Sequence, residues 1–250
     1  MEKIKLKENE RIDDLEYKGL KIIQNKKWFC FGMDSVILTE FAKEAKKGSK
    51  ILDLGTGNGV LSILLSKKIE DSQVVGIEIQ KEVAEMAERS VKLNKLENQI
   101  KIINIDINEI NKKINKNTFD VVVTNPPYKK EKTGIVNENN VKMISRHEIT
   151  ASLEDFIRVA SEQLKDLGAF YMINRPERLA DIVEYLRKYR LEPKVIRMVQ
   201  PSVDKAPNEV LVKAVKYGKN FLKIEKPIYI YNDEGKYTEE ILKIYNKKEG

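Results

Sequence analysis

The stretch Ile51-Leu-Asp-Leu-Gly-Thr-Gly-Asn-Gly59 constrains this chain more than any other. A short, mostly apolar run passes into three glycines at alternate positions. Such a run predicts a buried strand that turns at once into a helix, because glycine allows a tight turn and a close approach of backbone to a ligand. The first N–H groups of that helix are unpaired and carry partial positive charge, which favours a carboxylate or a phosphate. A second stretch, Asp120-Val-Val-Val-Thr-Asn-Pro-Pro-Tyr128, has the same form and ends in Asn125, Pro126, Pro127 and Tyr128. If the two strands are parallel neighbours, both loops open on the edge of the sheet where ligands of open α/β folds bind.

The surrounding pattern supports that arrangement. Leu20-Lys-Ile-Ile23 and Trp28-Phe-Cys-Phe31 predict a β-hairpin after a charged, frayed start at residues 1–16. Asp34 or Ser35 can cap a helix running to Glu44, and Gly48 ends it. From residue 50 strand and helix alternate. Strands are expected at 50–54, 73–79, 100–105, 119–124, 168–174 and 193–199, and helices at about 58–68, 80–95, 107–114, 152–166 and 176–190. Short connections predict an α/β fold with a mostly parallel sheet covered on both faces. A last strand at 208–216 follows without a helix between and should run antiparallel. Residues 220–250 suggest an extended piece, a turn at Asp233-Glu-Gly235 and a short helix. The chain divides into an N-terminal extension with its hairpin at 1–32 and the main domain at 33–250, one domain overall. Residues 129–151 lack apolar periodicity and begin directly after the Pro-Pro turn, so they suit a mobile substrate loop.

Composition bounds the partners. The 250 residues carry a formal net charge of +7. A basic excess favours polyanions, although a Lys-rich proteome would give the same balance. One cysteine, Cys30, excludes an intrachain disulfide and points to a reducing compartment. One histidine, His147, rules out a His-rich metal site, and no metal is expected. There is no apolar run of about 18 residues and no signal peptide, so a cytoplasmic, soluble protein is expected, without a membrane partner and most simply a monomer.

Three acids follow consecutive strands: Asp53, Glu78 and Asp106. A carboxylate at the second strand's tip can accept both ribose hydroxyls and would repel a 2′-phosphate. One after the third strand can accept from an adenine amino group, and Asp53 would lie near a cationic part of the ligand. Three acids suit a cationic ligand without phosphates, and S-adenosylmethionine has that character. The spacing of Gly55, Gly57 and Gly59 is not the dinucleotide pattern, whose third glycine falls one place later, which argues against a nicotinamide-dependent oxidoreductase.

The second loop suits methyl transfer to a planar amine. The Asn125 side-chain oxygen and the Pro126 carbonyl can each accept one N–H and favour the pyramidal nitrogen that develops positive charge. Positioning supplies much of the rest. The two prolines restrict the backbone, and Tyr128 offers a face for stacking on a flat ring.

The order of glycine motif, Glu78, Asp106 and Asn-Pro-Pro-Tyr resembles the Rossmann-like S-adenosylmethionine-dependent methyltransferases. That resemblance implies a seven-stranded sheet with its last strand antiparallel. It also implies cofactor contacts at Phe31, Asp34, Asp53, Gly55, Gly57, Gly59, Glu78, Asp106 and Asn125, with Phe31 and Asp34 closing over the methionine end. Phe31-Gly-Met-Asp-Ser-Val-Ile-Leu38, Val75-Gly-Ile-Glu-Ile-Gln80, Ser145-Arg-His-Glu148, Asn174-Arg-Pro-Glu-Arg178 and Pro207-Asn-Glu-Val-Leu-Val212 are similar to one bacterial group, the tRNA(Val) adenine-N6 methyltransferases. The group implies an RNA substrate with a purine unstacked into the pocket. Tyr128, Lys129, Lys130, Arg146, His147, Arg175 and Arg178 would contact it, within a rim that also holds Lys132, Lys142, Arg197 and Lys205. Arg146-His147-Glu148 can equally form an ion-paired cluster that orders the loop.

The same tetrapeptide serves adenine N6 in rRNA or DNA, cytosine N4 and protein glutamine amides. A glutamine methyltransferase usually carries an N-terminal recognition domain, and about 30 residues precede the shared core here. A non-catalytic RNA-binding protein that kept the fold would not need the intact glycine motif and Asn125.

Overall fold

A computed structural model of the chain describes residues 4–28, 30–127 and 151–245. The expected strands at 50–54 and 119–124 form as read. They are β3 (Lys50–Leu54) and β6 (Phe119–Thr124), joined by β4 (Gln73–Glu78) and β5 (Ile100–Asn104). Beyond β6 come β7 (Leu164–Asn174), β8 (Leu191–Gln200) and β9 (Glu209–Lys216). The sheet order is β8-β9-β7-β6-β3-β4-β5, and β9 runs antiparallel to both neighbours. This is the seven-stranded arrangement expected from the resemblance. Two short strands, β10 (Lys223–Ile224) and β11 (Ile228–Tyr229), pair with β8 and raise the sheet to nine strands.

Alternation along each strand builds two cores. Ile51, Val121, Val123, Ile173 and Leu211 pack on one face beneath α1 (Met33–Ala42), α2 (Val60–Lys68) and α3 (Lys81–Leu93). Leu52, Leu54, Val122, Met172, Val210 and Val212 pack on the other, beneath α4 (Leu153–Gln163) and α5 (Leu179–Lys188). Side chains point alternately across a strand, so strands buried on both faces read as unbroken apolar runs. Each such fully buried side chain contributes about 1.5–3 kcal/mol. A short helix α6 (Glu239–Ile244) returns to the first face through Ile241 and Ile244. Among the described residues no helix is long and apolar enough to cross a membrane.

Several boundaries differ from expectation. The hairpin pairs β1 (Glu10–Asp14) with β2 (Lys21–Asn25), not the two apolar runs, and residues 10–14 are therefore ordered rather than frayed. Sequence reasoning missed β1 because Glu-Arg-Ile-Asp-Asp has no apolar alternation. Trp28 belongs to the turn after β2, donating its N–H to the Asn25 carbonyl at 3.0 Å. The first helix starts at Met33 with Gly32 as its cap rather than at Asp34 or Ser35. The expected helix at 107–114 is a 3-10 segment, Ile107–Lys112. The helix expected to reach residue 166 stops at Gln163, because β7 already pairs at Leu164 with Phe119. The helix at 176–190 splits into a 3-10 turn, Pro176–Arg178, and α5.

The hairpin is tied to α3 by polar contacts. Ser90 Oγ accepts from Ile23 N at 3.1 Å, and Asn94 Oδ1 accepts from Lys21 N at 2.8 Å. Arg89 forks onto Glu10, donating from Nη1 and Nη2 at 2.7 and 2.6 Å. The Glu10 side chain is 2% exposed, and the Arg89 hydrogen bond, against burial, holds its carboxyl below the usual range. A depressed carboxyl adds stability above its unfolded value, and that stability is lost as pH falls through the folded value. Arg89→Ala should therefore cost about 2 kcal/mol at neutral pH. Denaturant unfolding across pH should show the gap to wild type closing below the ordinary value of 4.5. A gap that does not change with pH would remove the pair from this role.

Candidate active site

Parallel register sets the site. Leu54 pairs with Thr124 on one side and Ile77 on the other, so Gly55 stands between Asn125 and Glu78. Thr124 Oγ1 donates to the Leu54 carbonyl at 2.8 Å, and Thr56 N donates to the Ile77 carbonyl at 2.8 Å. These bonds hold three strand tips together. The loop between β3 and α2 uses its glycines as expected. Gly55, Gly57 and Gly59 have φ of 73°, 57° and 92°, which side chains with a Cβ rarely adopt. A Cβ on Gly57 would meet nothing within 4 Å, so that residue faces open space.

Glu78 is 6% exposed and turns back onto this loop. Its Oε2 accepts from Gly57 N at 3.0 Å and its Oε1 from Gln80 N at 2.9 Å. Asp106 caps the 3-10 segment beyond β5 by accepting from Asn108 N at 2.8 Å. Asp53 is placed beneath the loop rather than on its open side. It is fully buried, and its Oδ2 accepts from Thr56 Oγ1 at 2.5 Å and Ser62 Oγ at 2.8 Å. Burial pushes its carboxyl up to about 6, while the two hydroxyls pull the other way. In this structure Asp53 braces the loop, with Thr56 and Ser62 as partners that spacing alone did not single out.

The second loop meets α1. Asn125 Nδ2 donates to Asp34 Oδ2 at 2.8 Å, and Asp34 Oδ1 accepts from Ser35 N at 2.8 Å. Asp34 is 8% exposed. An amide has one acceptor oxygen and one NH2 group. Committing Nδ2 to a carboxylate fixes which end of Asn125 is presented as an acceptor. Pro126 is buried and Pro127 exposed. Phe31 is partly buried, with its N–H donated to Gln24 Oε1 at 2.8 Å. The same oxygen accepts from Asn58 Nδ2 at 3.4 Å. Gln24, on β2 and 2% exposed, thus joins the hairpin, the segment before α1 and the glycine loop. It was not among the residues expected, and an apolar strand with one glutamine is the sole trace it leaves in the sequence.

On the far side of the turn, Arg175 Nη1 donates to the Asn208 carbonyl at 2.9 Å, where β9 enters the sheet. Arg178 is turned toward α5 and donates from Nε to Asp181 at 2.6 Å. Tyr128, Lys129, Lys130, Arg146 and His147, with all of the expected substrate loop except Ala151, lie outside the described residues.

The donor set fits S-adenosylmethionine. An open glycine turn leads into a helix N-terminus, with a carboxylate at each of the next two strand tips, an arrangement that suits a nucleoside with a short carboxylate tail. Fold and site define a Rossmann-like S-adenosylmethionine-dependent methyltransferase. Residues 32–189 match the model of the methyltransferase small domain, and the chain belongs to that family. Curated relatives named tRNA1(Val) (adenine(37)-N6)-methyltransferase include one from Porphyromonas gingivalis. It is 31% identical over 80% of this chain and 79% of its own. One from Haemophilus influenzae is 23% identical over 91% and 94%. The fold also matches a predicted O-methyltransferase of Agrobacterium tumefaciens, with a TM-score of 0.71, 22% identity and coverage of 86% and 96%. A 16S rRNA guanine-N2 methyltransferase of T. thermophilus in complex with AdoMet and guanosine matches at 0.59, with 19% identity and coverage of 85% and 52%.

Asp34 was expected to close over the methionine end, whereas its observed contact is to Asn125. Asp34→Ala should therefore lower kcat on the order of 10-fold, because releasing Asn125 from its partner loosens the positioning of the target amine. S-adenosylmethionine affinity by calorimetry should stay near wild type. Lost affinity with unchanged kcat would return Asp34 to the cofactor.

Proposed function

We propose that the chain methylates the exocyclic N6 amine of an adenine in RNA, with adenine 37 of tRNA(Val) as the specific target. The observation that carries this reading is the Asn125 amide, held by Asp34 beside the glycine loop. S-adenosylmethionine, when bound, supplies a methyl group on a sulfonium. Gly55, Gly57 and Glu78 would hold it, with Asp106 at the adenine end. Asn125 Oδ1 accepts one N–H of the target amine and the Pro126 carbonyl accepts the other. The two acceptors draw the nitrogen lone pair out of the ring and toward the glycine loop. Acceptors aimed at developing positive charge lower the barrier without reorganising. The product cation is acidic and yields its proton to solvent, so the turn needs no strong base.

Three further points support RNA as the substrate. The relatives that match along most of this chain carry that activity in their names. The net charge is +7, and phosphate contacts dominate nucleic-acid affinity. Arg175, which directly follows β7 at the sheet edge where β6 ends, would contact the RNA backbone. In this reading Tyr128 stacks on the unstacked base, Lys129, Lys130 and Arg146 contact phosphates, and His147 orders the loop. The reaction belongs in the cytoplasm, where tRNA is modified.

Incubation with labelled S-adenosylmethionine and total tRNA from a strain lacking the enzyme, then digestion to nucleosides, should place the label in N6-methyladenosine. Label in another nucleoside, or in protein, would contradict the reading. Asn125→Ala should lose on the order of 10²-fold in kcat, as when an oxyanion-hole partner is removed, with the fold intact by circular dichroism. Unchanged turnover in that variant would contradict the role of the amide.

A further inference from the structure

Strand β9 runs against its neighbours, so its first residue, Glu209, arrives at the same sheet edge as Asn125 and the glycine loop. The register sets the face from which it projects. Leu211 packs beneath α1, while Val210 and Val212 pack on the opposite face. Glu209 lies two places before Leu211 and so shares the α1 face. Asn125 follows Val121 and Val123, which also pack beneath α1, and its contact with Asp34 at the start of α1 confirms the side. Asp34, Asn125 and Glu209 thus converge at one corner.

Glu209 is the member of this group without a commitment. Its side chain is partly buried and, among the described residues, has no side-chain hydrogen bond or salt bridge. Asp34 takes the Ser35 N–H and the Asn125 amide. Arg175 is drawn to the Asn208 carbonyl. On β8, the strand paired with Glu209, Arg197 is engaged by Glu240 of α6 at 2.6 Å. Near the C-terminal end, burial first, then the charges of Tyr237, Glu16 and Asp34, push the Tyr245 phenol up to about 12. A half-buried carboxyl with no side-chain donor, beside another carboxylate, holds its proton to higher pH than a free one. Burial first and Asp34 next push Glu209 up to about 7, with Arg175 opposing them.

A carboxyl that keeps its proton is an O–H donor. The adenine ring offers acceptor nitrogens and no ring N–H. Guanine carries a ring N–H on its pairing edge and would leave that donor facing another. Sites whose buried polar groups are left unpaired by the wrong ligand discriminate strongly. We propose that Glu209 is a specificity-determining residue of the target-base pocket, whose carboxyl O–H donates to a ring nitrogen of the unstacked adenine while Asn125 holds the amine. The proposal rests on the adenine reading above and goes beyond it by naming a second point of recognition.

The test compares wild type, Glu209→Gln and Glu209→Ala in kcat/KM for N6-methyladenosine formation, from about pH 6 to about pH 9. Wild type should fall as pH rises through about 7, as the donor becomes an acceptor. Glu209→Gln, whose amide donates at every pH, should lose that fall and cross above wild type at the alkaline end. Glu209→Ala should lie about tenfold below wild type at pH 6, the size of one lost hydrogen bond. All three should bind S-adenosylmethionine equally by calorimetry. If all three make N6-methyladenosine with one shared pH profile, the role of Glu209 is overturned while the reaction stands. If wild type makes none at any pH, the reaction assigned above falls and this proposal falls with it.

Discussion

The structure depends on the pairing of three parallel strand tips. Leu54 against Thr124, and Leu54 against Ile77, leave Gly55, Asn125 and Glu78 side by side with no freedom to drift. A one-residue slip of β6 would turn Asn125 to the opposite face. It would also place Thr124 out of reach of the Leu54 carbonyl. The buried pattern forbids that slip, because Val121 and Val123 would leave the core under α1 and Val122 would leave the other. Packing that extends the length of the sheet thereby fixes the position of a single amide.

Strand tips end in polar groups that need partners, and the site satisfies several of them from within. Glu78 takes the Gly57 N–H, Asp34 takes the Asn125 amide, and Gln24 bridges Phe31 and Asn58. Each bond ties a loop or connecting segment to a neighbouring strand or helix. The loops are therefore held in mutual register before any ligand arrives, and catalysis by positioning needs that preorganisation. The hairpin contributes through Gln24, so its anchorage to α3 matters to the site as well as to stability.

Most of the sheet was legible because its strands are long apolar runs between turns. The glycine loop was legible because positive φ requires glycine at those places, and the three acids because they follow strands in order. Other features left no local trace. β1 carries a single apolar residue, Ile12, and is held through Arg89 on a distant helix. Asp53 was legible as an acid after the first strand, but its burial and its partners Thr56 and Ser62 cannot be read from a motif. Asp34 and Asn125 are 91 positions apart, and nothing short of the fold brings them together. Glu209 went unnoticed for the same reason: its place at the site follows from the antiparallel direction of β9, which makes a strand's start rather than its end functional.

The most direct test of this account is a crystal structure of the chain with S-adenosylhomocysteine. It should show the ribose hydroxyls on Glu78, the Asp34–Asn125 bond retained, and Asn125 Oδ1 presented to the open space beside the sulfur. A ligand seated away from the glycine loop, or Asn125 released from Asp34 and turned from the sulfur, would contradict it.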